Sequence, residues 1–159
     1  MAVPVVAPTG RRDLGAGLFV AAAIAGAVPT LATVVASVAL LFWTLDHIIL
    51  VFLATAVLAF ALAVAGLFLV WPYRPGRNLL LASVPFFAVN LGLAALTGYV
   101  YLGSASCSIS GGWCYGVVLF CGGGFMLDLI AAVLVGIGVA QLRKSRGLGV
   151  VLPPPWPPQ

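Results

Sequence analysis

Residues 14–71 read LGAGLFVAAAIAGAVPTLATVVASVALLFWTLDHIILVFLATAVLAFALAVAGLFLVW, an apolar run that is interrupted only at 44–47. A helix needs about 20 such residues to cross a hydrocarbon core about 30 Å thick, so this run is far too long for one span. It predicts two helices that fold back on each other as a hairpin. The turn falls at 44–47, where Thr44 or Asp46 is available to cap the second helix.

The chain after this hairpin contains two further apolar stretches. Pro72 and Pro75 lack the N–H that a helix needs and Gly76 permits a turn, so the second helix ends here. A Ser- and Gly-rich loop at 103–114 separates the last two stretches. We therefore predict an all-α integral membrane protein, a bundle of four transmembrane helices at about 15–43, 47–71, 79–102 and 115–142. Residues 1–13 and a basic, Pro-rich tail at 143–159 flank the membrane domain.

Composition excludes a water-soluble fold. Of the 159 residues, 64% are hydrophobic and only 6% are charged, whereas roughly 25% are charged in an ordinary soluble domain. So few charged side chains cannot cover the surface of a soluble core. Lipid must therefore be the solvent for most of this surface.

The basic residues predict the orientation. In the hairpin topology they all lie on one side of the membrane, and the turn at 44–47 and the loop at 103–114 carry none. Because basic loops stay in the cytoplasm, both termini are predicted to be cytoplasmic. The clusters flank apolar runs and form no basic stripe, so nucleic acid is excluded as a partner. These cytoplasmic basic anchors are Arg11, Arg12, Arg74, Arg77, Arg143, Lys144 and Arg146.

The remaining features at the ends of the spans concern the membrane surface. Trp43, Trp71 and Trp113 stand at span ends, where aromatic side chains favour the interface. The last segment, from Pro153 to Gln159, predicts a polyproline II tail that either rests in the headgroup zone or binds a partner. The abundance of Ala, Gly, Val and Arg indicates a bacterial source and hence a bacterial cytoplasmic membrane.

Small and hydroxyl side chains recur at helical spacing and predict the faces that pack inward, because helices in lipid associate through close approach and hydrogen bonds. On the third helix the stripe has a spacing of seven residues. The three stripes comprise Gly26, Thr30, Thr33 and Ser37; Thr55, Ala59, Ala63 and Gly66; and Ser83, Asn90 and Thr97.

Asp128 stands near the midpoint of the fourth span. Placing an ionised acid there costs at least about 2.5 kcal/mol, so the side chain needs a partner. Asn90 lies at a similar depth in the third span, and we expect the two to meet inside the bundle, with Thr30 or Thr55 as a further partner. No basic residue lies at that depth, which favours the neutral acid. Asp128 then acts as a structural clamp, as a contact to another subunit, or as a proton or cation site.

Cys107 and Cys114 bracket a short segment of the outer loop that includes Trp113. An oxidising compartment would let them form a disulfide, which by the chain-entropy model contributes roughly 2 to 3 kcal/mol. A metal site that adds Asp46 and His47 matches no usual zinc spacing, and a thiol oxidoreductase would show Cys-x-x-Cys, which is missing. We predict no metal and no cofactor.

The function predicted from these features is non-catalytic. Short loops, no phosphate-binding loop and no Ser-His-Asp set favour a small accessory or scaffolding subunit of a larger membrane complex, whose partners are the lipid bilayer and other membrane subunits. One alternative is a small transporter or ion-conducting protein that uses Asp128. A third is a thiol-disulfide redox protein that uses Cys107 and Cys114.

Overall fold

The computed structural model describes residues 9–39, 45–73, 76–103 and 113–145. The regular structure in these ranges consists of four α-helices: α1 (Thr9–Ala39), α2 (Leu45–Val70), α3 (Arg77–Gly103) and α4 (Trp113–Lys144). All four are long and apolar enough to cross a membrane. The prediction of an all-α protein with four membrane-spanning helices is confirmed.

The helices begin before the apolar stretches do, and α4 also ends beyond its apolar stretch. α1 begins at Thr9, so the charged residues Arg11, Arg12 and Asp13 lie in its first turns. α2 begins at Leu45, because nothing in the segment expected to turn there is a Gly or Pro that would break the helix. α4 continues to Lys144, where basic side chains in the last turn interact favourably with the helix dipole. The chain at 40–44, which includes Trp43, lies outside the described residues.

The four helices form a ring in which each packs mainly against two neighbours. α1 contacts α2 and α4, and α3 contacts α2 and α4, while the diagonal pairs make little direct contact. The interfaces within the two hairpins, α1–α2 and α3–α4, are larger than the two interfaces that join the hairpins. A side chain that links one hairpin to the other therefore has a large influence on the assembled bundle.

The turn between α2 and α3 packs against the end of α4. The amide of Tyr73 donates to the carbonyl oxygen of Val70 at 2.9 Å, which closes the last turn of α2. Gly76 has a φ of 78°, and a Cβ atom at this position would collide with the carbonyl oxygen of Gly138 on α4. A residue other than glycine is therefore excluded from this turn by both its backbone conformation and its neighbour.

Most described residues of the small and polar stripes face inward; Thr55 is half-buried, and the side chains of Thr33 and Ser37 lie outside the described residues. Ser83, Asn90 and Thr97 on α3 are all buried. Between α1 and α2 the approach is close, because a Cβ atom on Gly66 would lie 2.9 Å from the ring of Phe19. Large apolar side chains cover the outer surface of every helix, which suits contact with lipid; they include Leu14, Val28, Leu50, Phe68, Leu96 and Val133.

Candidate functional site

Asp128 lies in the middle of α4 and is fully buried, with 0% of its surface exposed. The amide nitrogen of Asn90, on α3, lies 2.9 Å from both carboxyl oxygens. The hydroxyl of Thr30, on α1, lies 3.0 Å from Oδ2. The structure therefore brings Asp128 and Asn90 together and adds Thr30 from the other hairpin. We call Asp128, Asn90 and Thr30 the midplane cluster.

The Thr30 hydroxyl has two acceptors within reach and only one proton. Its Oγ1 lies 2.5 Å from the carbonyl oxygen of Gly26 and 3.0 Å from Oδ2 of Asp128. When the hydroxyl donates to Gly26, a hydrogen bond to Asp128 requires that the carboxyl group supply the proton. The short contact to Gly26 therefore suits a neutral Asp128 that donates to Thr30 and accepts from Asn90.

Two glycines make room for the midplane cluster. A Cβ atom on Gly26 would lie 2.9 Å from Oδ1 and 3.2 Å from Oδ2 of Asp128. On α4, a Cβ atom on Gly124 would collide with Oδ1 of Asn90 and lie 3.0 Å from the ring of Phe52. Gly26 and Gly124 thus belong to the site. Helical spacing places Gly26 on the inward stripe and Gly124 on the face of Asp128, but it gives no contact distances.

Thr55, the other hydroxyl considered from the sequence, does not join the cluster. Its Oγ1 lies 2.8 Å from the carbonyl oxygen of Val51 and 3.1 Å from that of Phe52, both on its own helix. The side chain that α2 contributes beside Asn90 is instead the fully buried ring of Phe52. The helices α1, α3 and α4 thus each contribute a polar group to the cluster, whereas α2 contributes an apolar ring.

One oxygen of the cluster lacks a partner. Asn90 is only 1% exposed, and within the described residues its Oδ1 makes no hydrogen bond. An unsatisfied acceptor in an apolar interior carries a cost, and it offers a free lone pair beside the carboxyl group of Asp128. Together with Thr30 Oγ1 and the carbonyl oxygen of Gly26, it places several oxygen atoms with lone pairs close to the acid.

The acid has no basic neighbour at its depth within the described chain. Among the described residues, the only buried basic side chain is that of Arg12, near the start of α1. At a rise of 1.5 Å per residue, Arg12 lies about 27 Å along the helix from Thr30. Neutral hydrogen-bond partners therefore satisfy Asp128, as the distribution of basic residues in the sequence predicts.

The basic residues lie far from this acid, at the end of the bundle where α1 begins and α4 ends. The guanidinium carbon of Arg12 lies 5.9 Å from the ring centroid of Tyr73. The guanidinium carbon of Arg77 lies 5.4 Å from the Trp71 ring, and its Nη1 donates to the Trp71 carbonyl oxygen at 3.1 Å. Trp71 is 55% exposed at the end of α2, as an interfacial aromatic residue would be.

Several residues singled out from the sequence fall outside the description. Arg74, Arg146 and Cys107 lie in segments that the structure does not describe. Trp113 and Cys114 begin α4, but their side chains also lie outside the described set. The Cys107–Cys114 disulfide thus stays a prediction. Arg11, Arg143 and Lys144 are exposed at the basic end.

Comparison with known proteins adds no relative: no protein-family model matches the chain, and neither does any curated protein or solved structure that was compared with it.

Proposed function

We propose that this protein is a non-catalytic scaffolding or accessory subunit of a larger assembly in a bacterial cytoplasmic membrane, with both termini in the cytoplasm. The observation that carries the proposal is the outer surface of α3, which differs from that of α4. This difference suits a helix that packs against another membrane protein.

The outer surface of α3 carries a strip of small residues beside the exposed large side chains of Leu81, Val89 and Leu96, whereas the middle of α4 exposes large ones. Near the middle of α3, the exposed residues Pro85, Ala88, Gly92 and Ala95 form the small face. The corresponding part of α4 exposes Met126, Leu129, Ile130 and Val133. Small residues allow a second helix to approach closely in lipid, where large aliphatic side chains gain nothing over lipid tails. The small face is therefore the expected contact with a partner.

The midplane cluster supports the same function by a different route. Asp128 forms its hydrogen bonds with Asn90 and Thr30 of its own chain, so it requires no basic group from another subunit. Its contact with Thr30 connects the two hairpins, which otherwise meet over the smaller interfaces. Such a clamp favours a rigid unit that presents one constant surface to a partner.

The basic end of the bundle supports the proposed cytoplasmic placement of both termini. Arg12, Arg77 and Arg143 lie at one end of the helices, and basic residues are retained in the cytoplasm. Reporter proteins fused to either terminus test this orientation. We expect a cytoplasm-dependent reporter to be active at both ends, and activity of an export-dependent reporter at either end would contradict it.

Co-purification in mild detergent with a matched pair of variants tests the scaffolding function. Gly92 on α3 and Gly136 on α4 are both exposed, and a Cβ atom on either meets no atom within 4 Å. Gly92→Leu should remove the co-purifying membrane protein, because the larger side chain holds the partner helix away. Gly136→Leu should retain it. A wild-type chain that purifies without any partner, or equal loss in both variants, would refute the proposal.

A second function, cation or proton transport, is favoured by one observation, the unpartnered Oδ1 of Asn90 beside Asp128. Reconstituted vesicles test it directly. A transporter would show proton or sodium flux that Asp128→Asn abolishes. Ser83→Ala is the control, because this buried hydroxyl donates within its own helix at 2.7 Å to Leu80. The scaffolding proposal predicts no flux in any of these proteins.

A further inference from the structure

A groove opens between α1 and α4 at the basic end of the bundle. Its volume is about 330 Å³, at the lower end of the range for small-ligand clefts. Arg12 and Asp13 line it from the first turns of α1, and Arg143 lines it from the last turn of α4. We call this the arginine groove.

The charged rim of the groove is partly fixed in place. Arg12 is 8% exposed and its guanidinium lies over the ring of Tyr73. Its Nε lies 4.0 Å from Oδ1 of Asp13, at the outer limit of an ion pair. Arg143 is exposed on the facing helix. Each guanidinium group is a planar fork of N–H donors that suits phosphate oxygens, and both of these arginines line the groove.

The groove becomes apolar in the direction of the membrane centre. Ala16, Gly17 and Val20 line it further along α1, and at 1.5 Å per residue Val20 lies about 12 Å deeper than Arg12. Gly17 leaves the wall open, since a Cβ atom built on it meets nothing within 4 Å. A ligand that fits both parts must carry a phosphate at one end and a hydrocarbon chain at the other.

We propose that the arginine groove binds an anionic phospholipid, with the phosphodiester between Arg12 and Arg143 and one acyl chain along Ala16, Gly17 and Val20. Basic pockets between transmembrane helices at the membrane surface bind lipid headgroups in this way. The site is independent of the proposed scaffolding function, because it uses α1 and α4 and leaves the small face of α3 uncovered.

Asp13 narrows the choice of headgroup. Its carboxylate shares the rim with the two arginines, so a second phosphate placed beside it would be repelled. A headgroup hydroxyl can instead donate to it. The groove therefore suits phosphatidylglycerol, which combines one phosphodiester with a hydroxyl-bearing glycerol.

Lipid titration of the purified full-length protein, followed by native mass spectrometry, tests this site. The probes are phosphatidylglycerol and phosphatidylcholine with the same acyl chains. We expect the wild type to bind phosphatidylglycerol at least about tenfold more tightly, since hydrogen bonds to charged groups have effects of this size. Arg143→Gln should remove most of that preference. Lys144→Gln, which makes the same charge change one residue outside the groove lining, should weaken binding by less than about fivefold.

Gly17→Leu separates a lipid from a free anion. The leucine fills the apolar part of the groove without a change in charge, so phosphatidylglycerol binding should fall about tenfold, while Gly10→Leu, also in open space on α1, should leave it unchanged. Equal effects of Arg143→Gln and Lys144→Gln would overturn the proposal. So would displacement of the lipid by an equal concentration of inorganic phosphate. Helix content by circular dichroism confirms that each variant is folded.

Discussion

The interface between α1 and α4 is closed at one depth and open at another. At the midplane, Thr30 and Asp128 meet at 3.0 Å and Gly26 lets α1 approach α4 closely. At the basic end, the same two helices separate around a groove of about 330 Å³ between Arg12 and Arg143. One interface therefore contains both the fully buried carboxyl group of Asp128 and, at the groove, the largely buried Arg12 and the exposed Arg143.

The difference follows from the surroundings at each depth. In the hydrocarbon core no water is available, so a polar side chain must find its partners within the protein. At the surface, water and lipid headgroups can satisfy a guanidinium group, and the long arginine side chain can reach them. Enclosure at the midplane therefore favours a structural role, whereas exposure at the basic end favours binding. Four substitutions test this contrast.

Gly124→Ala should have the largest effect on the midplane. Its Cβ would displace Oδ1 of Asn90 and press on the Phe52 ring, and such overpacking costs about 2 to 3 kcal/mol. Gly122→Ala is the matched control, because a Cβ there meets nothing within 4 Å. It should leave stability unchanged or raise it slightly. The free energy of unfolding in mixed micelles with dodecyl sulfate measures both, and equal values would disprove the close contact at Gly124.

Asp128→Ala should cost about 2 kcal/mol, because it leaves the amide of Asn90 without an acceptor in a buried site. Asp128→Asn should cost less than about 1 kcal/mol if the acid is neutral, since the new amide can donate to Thr30 and accept from Asn90 as the protonated carboxyl does. The same unfolding measurement compares them. A loss for the asparagine variant as large as that for alanine would contradict a neutral acid and indicate that an ionised Asp128 holds the cluster together.

The sequence predicts the depth of this site better than it predicts its neighbours. Hydropathy predicts four spans, position along a span places Asn90 and Asp128 at one level, and the small and polar stripes turn both toward the interior. Choosing between Thr30 and Thr55 needs the rotation of each helix about its axis. Hydropathy does not give that rotation, because every helix here is apolar on nearly all sides.

The arginine groove shows a second limit of sequence reasoning. Arg12 was predicted to lie in a cytoplasmic segment before the first helix, yet it lies within α1 under the ring of Tyr73. The hydropathy signal weakens where charged residues enter a helix, although arginine is a good helix former. The groove depends on how far α1 and α4 extend beyond the apolar stretch, and neither length can be derived from a hydrophobic count.

Thr30→Val should have an intermediate effect of about 1 kcal/mol, the usual scale of a single hydrogen bond between membrane helices. Valine has nearly the same shape as threonine, so the loss reports the hydroxyl and its contact with Asp128. Thr30→Ser keeps the hydroxyl and should retain most of the stability. If the two variants unfold alike, the hydroxyl contributes nothing and the α1–α4 contact depends on apolar packing and on the close approach at Gly26.

Arg143→Gln should have the smallest effect on stability, below about 0.5 kcal/mol, since exposed charges away from a packed core contribute little. Asp128→Ala should cost much more. The open basic end should tolerate the loss of a polar side chain, whereas the closed midplane should not. Unfolding in micelles that contain only phosphatidylcholine measures this change in the free energy of unfolding without a contribution from anionic lipid binding. A loss above about 1.5 kcal/mol would mean that Arg143 stabilises the fold itself and is not a tolerant residue of an open groove.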